Sequence, residues 1–168
     1  MSRLLKYLLI LLVAVSLASC SGMARRARQK IGVEGIERVV PRGVSGFGLR
    51  LKVRNETGWR LVVKHAEFDL YYGAQKIARV ELRDKVVVKR KTFGGVNSEW
   101  RIIASDAMTY AIVARKIRRG EIEKVRVVYR IRGRGGIIPV EISGEMMPLS
   151  KFLNIFGGSI DELKFLDI

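Results

Sequence analysis

The chain has 168 residues, of which 32 are Lys or Arg and 16 are Asp or Glu, so its formal net charge is +16. It contains a single cysteine, which excludes a framework of intrachain disulfides, and a chain of this length can instead bury a sizeable apolar core. The excess of positive charge indicates an anionic partner, such as nucleic acid, a lipid surface or an acidic polymer.

Residues 1–19 have the layout of a secretory signal peptide. Arg3 and Lys6 give a positively charged start, and Tyr7 to Val15 form an uninterrupted apolar run. This run is shorter than the about 20 apolar residues that a spanning helix needs. We therefore predict a cleaved signal peptide over residues 1–19, with an uncleaved N-terminal anchor as the alternative.

The only cysteine stands directly after this apolar stretch, in the sequence Leu17-Ala18-Ser19-Cys20. The stretch resembles the lipobox of bacterial lipoproteins. The resemblance implies a diacylglyceryl thioether on Cys20 and an acylated amine at the new N-terminus, and two or more acyl chains anchor a protein stably. We expect no cofactor besides this covalent lipid; an exported protein with an unmodified Cys20 is the alternative.

Ser21 follows the cysteine, where some lipoproteins carry an aspartate. By analogy with lipoproteins of bacteria that have two membranes, this favours a lipid-anchored protein of the cell envelope, at the outer membrane and facing the periplasm. The membrane is then the first expected partner.

Residues 20–30 are small and basic without periodicity, and we predict a tether between lipid and domain. Its basic residues are Arg25, Arg26, Arg28 and Lys30. Close to a bilayer each of them contributes about 1 kcal/mol of attraction to anionic headgroups; a solvated linker is the alternative. Removing residues 1–19 takes away two basic residues and no acidic one, so the net charge falls from +16 to +14. The residues that remain are about as many as one ordinary domain contains.

Alternation of apolar and polar residues predicts strands from residue 31 onward. The clearest case is Phe47, Leu49, Leu51 and Val53, which alternate with Gly48, Arg50, Lys52 and Arg54. Further strands are predicted over residues 31–40, 59–72, 75–82, 85–89, 96–103 and 121–132. Turns are predicted at Gly73, at Gly94-Gly95 and at residues 133–136, the last leading into a hairpin strand over 137–146.

One helix interrupts the strands. Ser105 can cap it, Asp106 lies in its first turn, and Arg118 and Arg119 lie in its last turn before Gly120, in the arrangement that the helix dipole favours. We predict a helix over residues 106–119 that packs on the core through Ala107, Tyr110, Ala114 and Ile117. Short helices are predicted over residues 148–168, where Ser159-Ile160-Asp161-Glu162 has the form of a capping box.

About seven short strands with a lone helix predict a mainly β fold, an antiparallel immunoglobulin-like or fibronectin-like β-sandwich over residues 31–147. Residues 31–36, 49–57, 68–73 and 76–78 resemble the type 2 late embryogenesis abundant (WHy) domain. In the Asn-Pro-Asn element of that family only Asn55 matches, with Glu56 and Thr57 in place of the rest. The resemblance implies a non-catalytic domain with a structural or stress-protective role in the envelope.

Seven basic residues on two predicted strands are candidate anion-binding residues, provided that the strands are adjacent: Arg50, Lys52, Arg54, Lys124, Arg126, Arg130 and Arg132. The expected ligand is an anionic lipid or an acidic envelope polymer, with a protein as another candidate partner. We do not expect nucleic acid, because an exported protein rarely meets it and no stacking aromatic residues lie between these basic residues. The alternative is a solvated polar face.

No sequence motif for catalysis is present in a supporting context. His65 is the only histidine, and with Glu67 at the alternate position of one strand it makes a weak metal site, so we expect neither catalytic nor metal-binding residues. The predicted function is a membrane-anchored, non-enzymatic binding or structural lipoprotein. An envelope hydrolase acting on glycan or peptide is the alternative, because its carboxylates would be brought together by the fold rather than by sequence spacing.

Overall fold

The computed structural model describes residues 30–43 and 45–155. These contain eight strands and two helices, in the order β1 (Ile31–Pro41), β2 (Gly46–Asn55), β3 (Leu61–Tyr72), β4 (Gln75–Leu82), β5 (Val86–Val88), β6 (Thr92–Ala104), α1 (Ala107–Arg118), β7 (Val125–Gly135), β8 (Ile138–Pro148) and α2 (Leu149–Ile155). The prediction of a mainly β chain with one longer helix is confirmed.

All strand pairs are antiparallel, and the strands follow the order β1-β2-β6-β4-β3-β7-β8, with β5 paired to β3. Strand β6 pairs with β2 over its first ten residues and with β4 over residues 100–104. In the same way, β3 pairs with β5 at its start and with β4 at its end. A strand that pairs with different neighbours at its two ends can pass from one layer of a sheet to the other. The result is the predicted antiparallel, β-sandwich-like fold.

The apolar core consists of two clusters that share the side chains of Phe68 and Leu70. The first cluster lies under the two helices and is built on Ile77, Val113, Ile122, Val125, Val127, Leu149 and Leu153. The second lies between the strands and is built on Ala66, Val80 and Trp100. Phe68 joins them, since its ring centroid is 5.1 Å from that of Trp100 and 5.2 Å from that of Phe152.

The alternation that predicted the strands corresponds to alternating burial. On β7, Val125, Val127 and Tyr129 are buried while Arg126 and Arg130 are exposed. Because successive side chains of a strand point to opposite faces, this strand contributes one apolar row to the core and one charged row to the surface.

The prediction of a turn at Gly94-Gly95 is wrong. Both glycines lie inside β6, where they pair with Val53 and Lys52 of β2. A Cβ atom at Gly95 would lie 2.5 Å from the Nε atom of Arg50, so a side chain here would displace the Arg50 guanidinium, which crosses the neighbouring strand at this point.

The hairpin turn is shorter than predicted. Gly133, Arg134 and Gly135 belong to β7, which pairs Gly135 with Ile138, and only residues 136 and 137 connect the strands. Gly136 has a φ of +64°, a conformation that glycine adopts without the steric cost of a Cβ atom and that two-residue hairpin turns require.

Helix α1 agrees with the prediction to within one residue at each end, but its cap differs. Its predicted stripe is correct in part: Ala114 is buried and Ile117 packs on the first core cluster, whereas Ala107 is exposed. Asp106 rather than Ser105 is the N-cap, and its carboxylate accepts a hydrogen bond from the Thr109 backbone N–H at 2.8 Å. Hydrogen bonds from Thr109 lower the pKa of this carboxyl. Val113, which is not in the predicted stripe, is the most deeply buried residue of the helix.

Helix α2 follows Pro148 as predicted, and it buries Leu149 and Leu153 against the first core cluster. The ring of Phe152 packs on those of Phe68 and Tyr129, with centroid distances of 5.2 and 5.8 Å. The second predicted C-terminal helix, from Ser159, lies outside the described residues. Neither described helix has the length and apolar character that crossing a membrane requires.

Candidate functional site

Cys20, the signal peptide and the basic residues Arg25, Arg26 and Arg28 lie outside the described residues. The description begins at Lys30, which is exposed and whose carbonyl oxygen accepts a hydrogen bond from the Glu56 backbone N–H at 2.9 Å. The segment that precedes the domain therefore joins it beside the loop between β2 and β3.

The seven candidate anion-binding residues fall into two separate groups. Arg50, Lys52 and Arg54 lie on β2, whereas Arg126, Arg130 and Arg132 lie on β7 and Lys124 directly precedes it. Strands β6, β4 and β3 lie between β2 and β7. The condition that the two strands be adjacent is not met, so the two groups do not form one basic surface on neighbouring strands.

The arginines of β2 are neutralised by carboxylates of adjacent segments. The Nε atom of Arg50 lies 2.9 Å from Glu37 Oε2, and the Nε atom of Arg54 lies 2.7 Å from Glu34 Oε1. Arg54 also reaches Glu56 at 3.3 Å. The hydrogen bonds that Arg54 donates to the carboxylates of Glu34 and Glu56 raise its pKa. Cross-strand pairs of this kind stabilise the contact between β1 and β2. They leave little positive charge on these arginines with which to bind an anion.

The arginines of β7 are paired in the same way. Arg132 lies 3.2 Å from a carboxylate oxygen of Glu141 on β8, and Arg130 lies 3.7 Å from the same oxygen and 3.6 Å from Glu67 on β3. The other members of the set differ: the Lys52 ammonium lies 4.9 Å above the ring of Phe93, while Lys124 and Arg126 are exposed.

An open groove crosses the outer face between β3, β4, β7 and β8. Its lining consists of Glu67, Asp69, Arg79, Val128, Tyr129, Arg130, Ser143, Gly144 and Glu145. Arg79 lines it from β4, with its Nε and Nη2 atoms 2.7 and 2.9 Å from the two carboxylate oxygens of Asp69. Its Nη1 atom lies 3.4 Å from Glu67, and Lys76 lies 2.8 Å from Asp69.

The charges of this groove favour a structural network over acid catalysis. Partial burial by itself would raise the pKa of the Asp69 carboxyl, but hydrogen bonds from Arg79 and Lys76 outweigh it and lower the pKa below its ordinary value. A general acid in glycoside hydrolysis needs the opposite, a carboxyl whose pKa is raised so that it holds a proton near neutral pH. Asp69 is instead held as a carboxylate by Arg79 and Lys76.

His65 lies on β3 opposite Arg132 of β7 and is exposed. Within residues 30–43 and 45–155, no three His, Cys, Asp or Glu side chains come together in a way that could hold a metal ion. The pair of His65 and Glu67 gains no third ligand in this part of the chain.

Asn55, at the end of β2, has a role that sequence reasoning did not assign beyond its match to the family motif. Its side chain is fully buried. The amide nitrogen donates to the carbonyl oxygens of Trp59 and Lys89, both at 2.9 Å, while the amide oxygen accepts from the backbone N–H and the hydroxyl of Thr57 at 3.1 and 2.6 Å. In the Asn55-Glu56-Thr57 turn, the side chains of Asn55 and Thr57 are therefore buried and bonded to each other, while Glu56 is exposed.

Comparison with protein-family models and with curated proteins finds no match for this chain. Among solved structures, the chain is similar to a protein from Archaeoglobus fulgidus. The sequences are 17% identical, the alignment covers 70% of this chain and 97% of the other, and the TM-score is 0.47.

Proposed function

We propose that this protein is a lipid-anchored, non-enzymatic component of the cell envelope. In this proposal acyl chains on Cys20 hold the protein at the outer membrane, residues 20–30 form the tether, and a domain of the type 2 late embryogenesis abundant kind projects into the periplasm. The domain serves as a binding or structural module for anionic envelope components or for a protein partner.

The position of the single cysteine carries this proposal. Cys20 directly follows an apolar run with a basic start, and a thiol at that point has a defined chemical use in lipoprotein maturation. The described domain supports it in a second way, because its core is closed by its own strands and helices and needs no disulfide. Ion pairing of Glu67 and Asp69 supports the non-enzymatic part.

Mass spectrometry of the mature N-terminus tests the proposal. Produced in a bacterium that processes lipoproteins, the chain should yield a tryptic peptide of residues 20–25 that carries diacylglyceryl and N-acyl groups. The Cys20→Ala variant should retain residues 1–19 and no lipid. Recovery of the wild-type chain with residues 1–19 intact and a free thiol would contradict the proposal.

A separate variant tests the assignment of the protein to the outer membrane. If Ser21 after the modified cysteine permits transfer to the outer membrane, Ser21→Asp should move the lipidated protein to the inner-membrane fraction. An unchanged distribution between the two membrane fractions would remove the reason for placing the protein at the outer membrane, without bearing on lipidation itself.

A further inference from the structure

Three loops of the domain lie at the same end as the residue at which the chain enters it. This end, here called the tether end, consists of Lys30, residues 56–60, residues 89–91 and residues 134–138. Strand β3 runs from Leu61 at the tether end to Tyr72, whose hydroxyl lies 3.0 Å from the Lys116 ammonium of α1. Helix α1 is therefore at the opposite end, about 35 Å away at the rise of a β-strand.

Hydrogen bonds hold the loops of the tether end in one arrangement. Asn55 binds the carbonyl oxygens of both Trp59 and Lys89. The Lys91 backbone N–H donates to the Thr57 carbonyl at 3.2 Å, and the Gly136 N–H donates to the Arg60 carbonyl at 2.9 Å. The surface that these loops present is thus preorganised, which lowers the entropic cost of any contact that it makes.

Large apolar side chains are exposed on this surface. Ile137, at the apex of the hairpin between β7 and β8, is 95% exposed, and Ile138 and Trp59 are 56% and 52% exposed. The Trp59 ring lies beside Gly136, with three of its atoms 3.6 to 3.7 Å from where a Cβ atom of that glycine would be. The indole therefore lies at the hairpin turn that carries the two isoleucines, and these three exposed side chains are here called the apolar tip.

Basic residues surround this apolar tip: Lys30, Arg60, Lys89, Arg90, Lys91 and Arg134, all of which are exposed. Among the described residues, no carboxylate lies within ion-pairing distance of any of these six, whereas Arg50, Arg79 and Arg132 in the middle of the sheet are each paired. Glu56, the acidic residue of these loops, is bound to Arg54. The positive charges of these six residues are thus available to an anionic partner at the tether end.

An apolar tip with a tryptophan and a surrounding set of unpaired cations matches the interface of a bilayer. Indole rings are favoured at the level of the headgroups, and lysines and arginines near an anionic surface are attracted to its charge. The distance fits as well, because the ten residues from Cys20 to Gln29 can span at most about 35 Å when fully extended. An anchor on Cys20 therefore keeps Lys30 and the tether end within reach of the membrane.

We infer that the tether end is a docking surface for anionic lipid, in which Ile137 and Trp59 enter the headgroup region and the six basic residues contact lipid phosphates. This inference rests on the proposed anchoring at Cys20 for its geometry, but the contact is made by separate residues. Docking fixes the orientation of the domain, with β3 roughly along the membrane normal and α1 facing away from the bilayer.

The two tryptophans provide the experiment, since Trp59 is half exposed and Trp100 is 7% exposed. The full chain is reconstituted into vesicles of phosphatidylcholine and phosphatidylglycerol whose acyl chains are brominated close to the headgroup. Bromine quenches indole fluorescence on contact, so docking predicts quenching of the wild-type emission. Trp59→Phe should remove the quenched component and leave the Trp100 emission unchanged.

Matched variants separate the apolar contribution. Ile137→Ser combined with Ile138→Ser should abolish quenching of Trp59. Met108→Ser combined with Ile112→Ser, which removes two exposed apolar side chains from α1 at the opposite end, should leave the quenching as in the wild type.

The charge contribution is separated in the same way. Lys89→Gln, Arg90→Gln and Lys91→Gln together should lower the docking equilibrium constant by about 100-fold, at about 1 kcal/mol for each charge. Arg115→Gln with Arg119→Gln on α1 should have no effect. Quenching of the wild type should also decline at about 1 M salt, where the Debye length is about 3 Å. The Trp100 emission checks in every variant that the domain is folded.

The outcomes distinguish docking from anchoring. An acylated N-terminal peptide together with unquenched Trp59 would overturn docking and leave the anchor in place. A quenched Trp59 without acylation would sustain docking and overturn the anchor. Protection of Trp59 from aqueous acrylamide without quenching by brominated lipid would show that protein, such as a second copy of the chain, covers the tether end, and would overturn the lipid assignment.

Discussion

At the level of single residues, Asn55 has the most consequential position in the described structure. It is fully buried, and one side chain satisfies backbone groups of the 56–60 loop and of Lys89. Its importance arises from the cost of leaving buried polar groups without partners, which exceeds the small net gain of each hydrogen bond. The residues around it, including the exposed Trp59, are placed by these bonds.

Replacing Asn55 with alanine should lower the free energy of unfolding by about 2 to 3 kcal/mol, because two carbonyl oxygens lose their donor. Urea unfolding measures this change as a shift of the midpoint at constant slope. Asn97→Ala, on the exposed side of β6, is the matched control and should change the stability little. Equal effects of the two substitutions would show that the Asn55 bonds do not hold the loops.

Charged residues show why residue types alone did not identify a site. Arg50 and Arg132 look like parts of basic strands in the sequence, yet each meets a carboxylate of a neighbouring strand. Which carboxylate an arginine meets depends on strand order and register, neither of which can be inferred from the spacing of residues along one strand. Lys89-Arg90-Lys91, in contrast, lies in a loop without a carboxylate neighbour among the described residues.

At the level of elements, α1 shows what periodicity predicts and what it misses. Its limits follow from local chemistry, since Asp106 caps the first turn and Gly120 with a φ of +81° follows the last. The face that it buries is centred on Val113 and Ala114 rather than on the Tyr110 side of the predicted stripe. Tyr110 itself is partly buried, and this burial raises the pKa of its hydroxyl.

Shortening Val113 to alanine should destabilise the protein by about 2 kcal/mol, because the removed methyl groups leave space among well-packed neighbours. The matched control is Ile112→Ala on the solvent side of the same helix, for which we expect little change or a slight gain, since alanine favours helices. Thermal or urea unfolding compares the two. A larger loss for Ile112→Ala would mean that the opposite face of α1 is the packed one.

Glycines gave the least reliable guide to the ends of strands. Gly94 and Gly95 predict a turn by composition, but they pair with Val53 and Lys52 within β6, and the Arg50 side chain passes over Gly95. Gly136 does mark a turn, with a positive φ. A glycine can provide either backbone freedom or space for a neighbour, and only the neighbouring strand distinguishes the two.

At the level of the whole molecule, the domain has two opposite ends, the tether end and the end that carries α1, with a continuous core between them. Helices α1 and α2 cover the first core cluster, and the tether end carries the exposed apolar tip and the unpaired cations. Phe68 connects the halves, because its ring contacts Trp100 in one cluster and Phe152 in the other.

Replacing Phe68 with alanine should therefore cost about 3 kcal/mol of stability and weaken both halves together. Phe93→Ala removes a ring that is largely exposed and serves as the control, with an expected loss below about 1 kcal/mol from its contact with Lys52. Hydrogen exchange followed by residue should show faster opening both near Trp100 and near α2 in the Phe68 variant. Faster exchange in one cluster alone would indicate that the clusters are independent.

The sequence by itself determined the mainly β class, the location of most strands and the limits of α1, because alternation, caps and turn residues act over a few neighbouring positions. It also contains the motif at Cys20 on which the proposed anchor depends. Only the tertiary structure decided that three strands separate β2 from β7, that most of the predicted anion-binding arginines are paired, and that Trp59, Ile137 and the 89–91 loop share one end. These relations join residues far apart in the chain, and they are set by strand order and register, which local patterns do not specify.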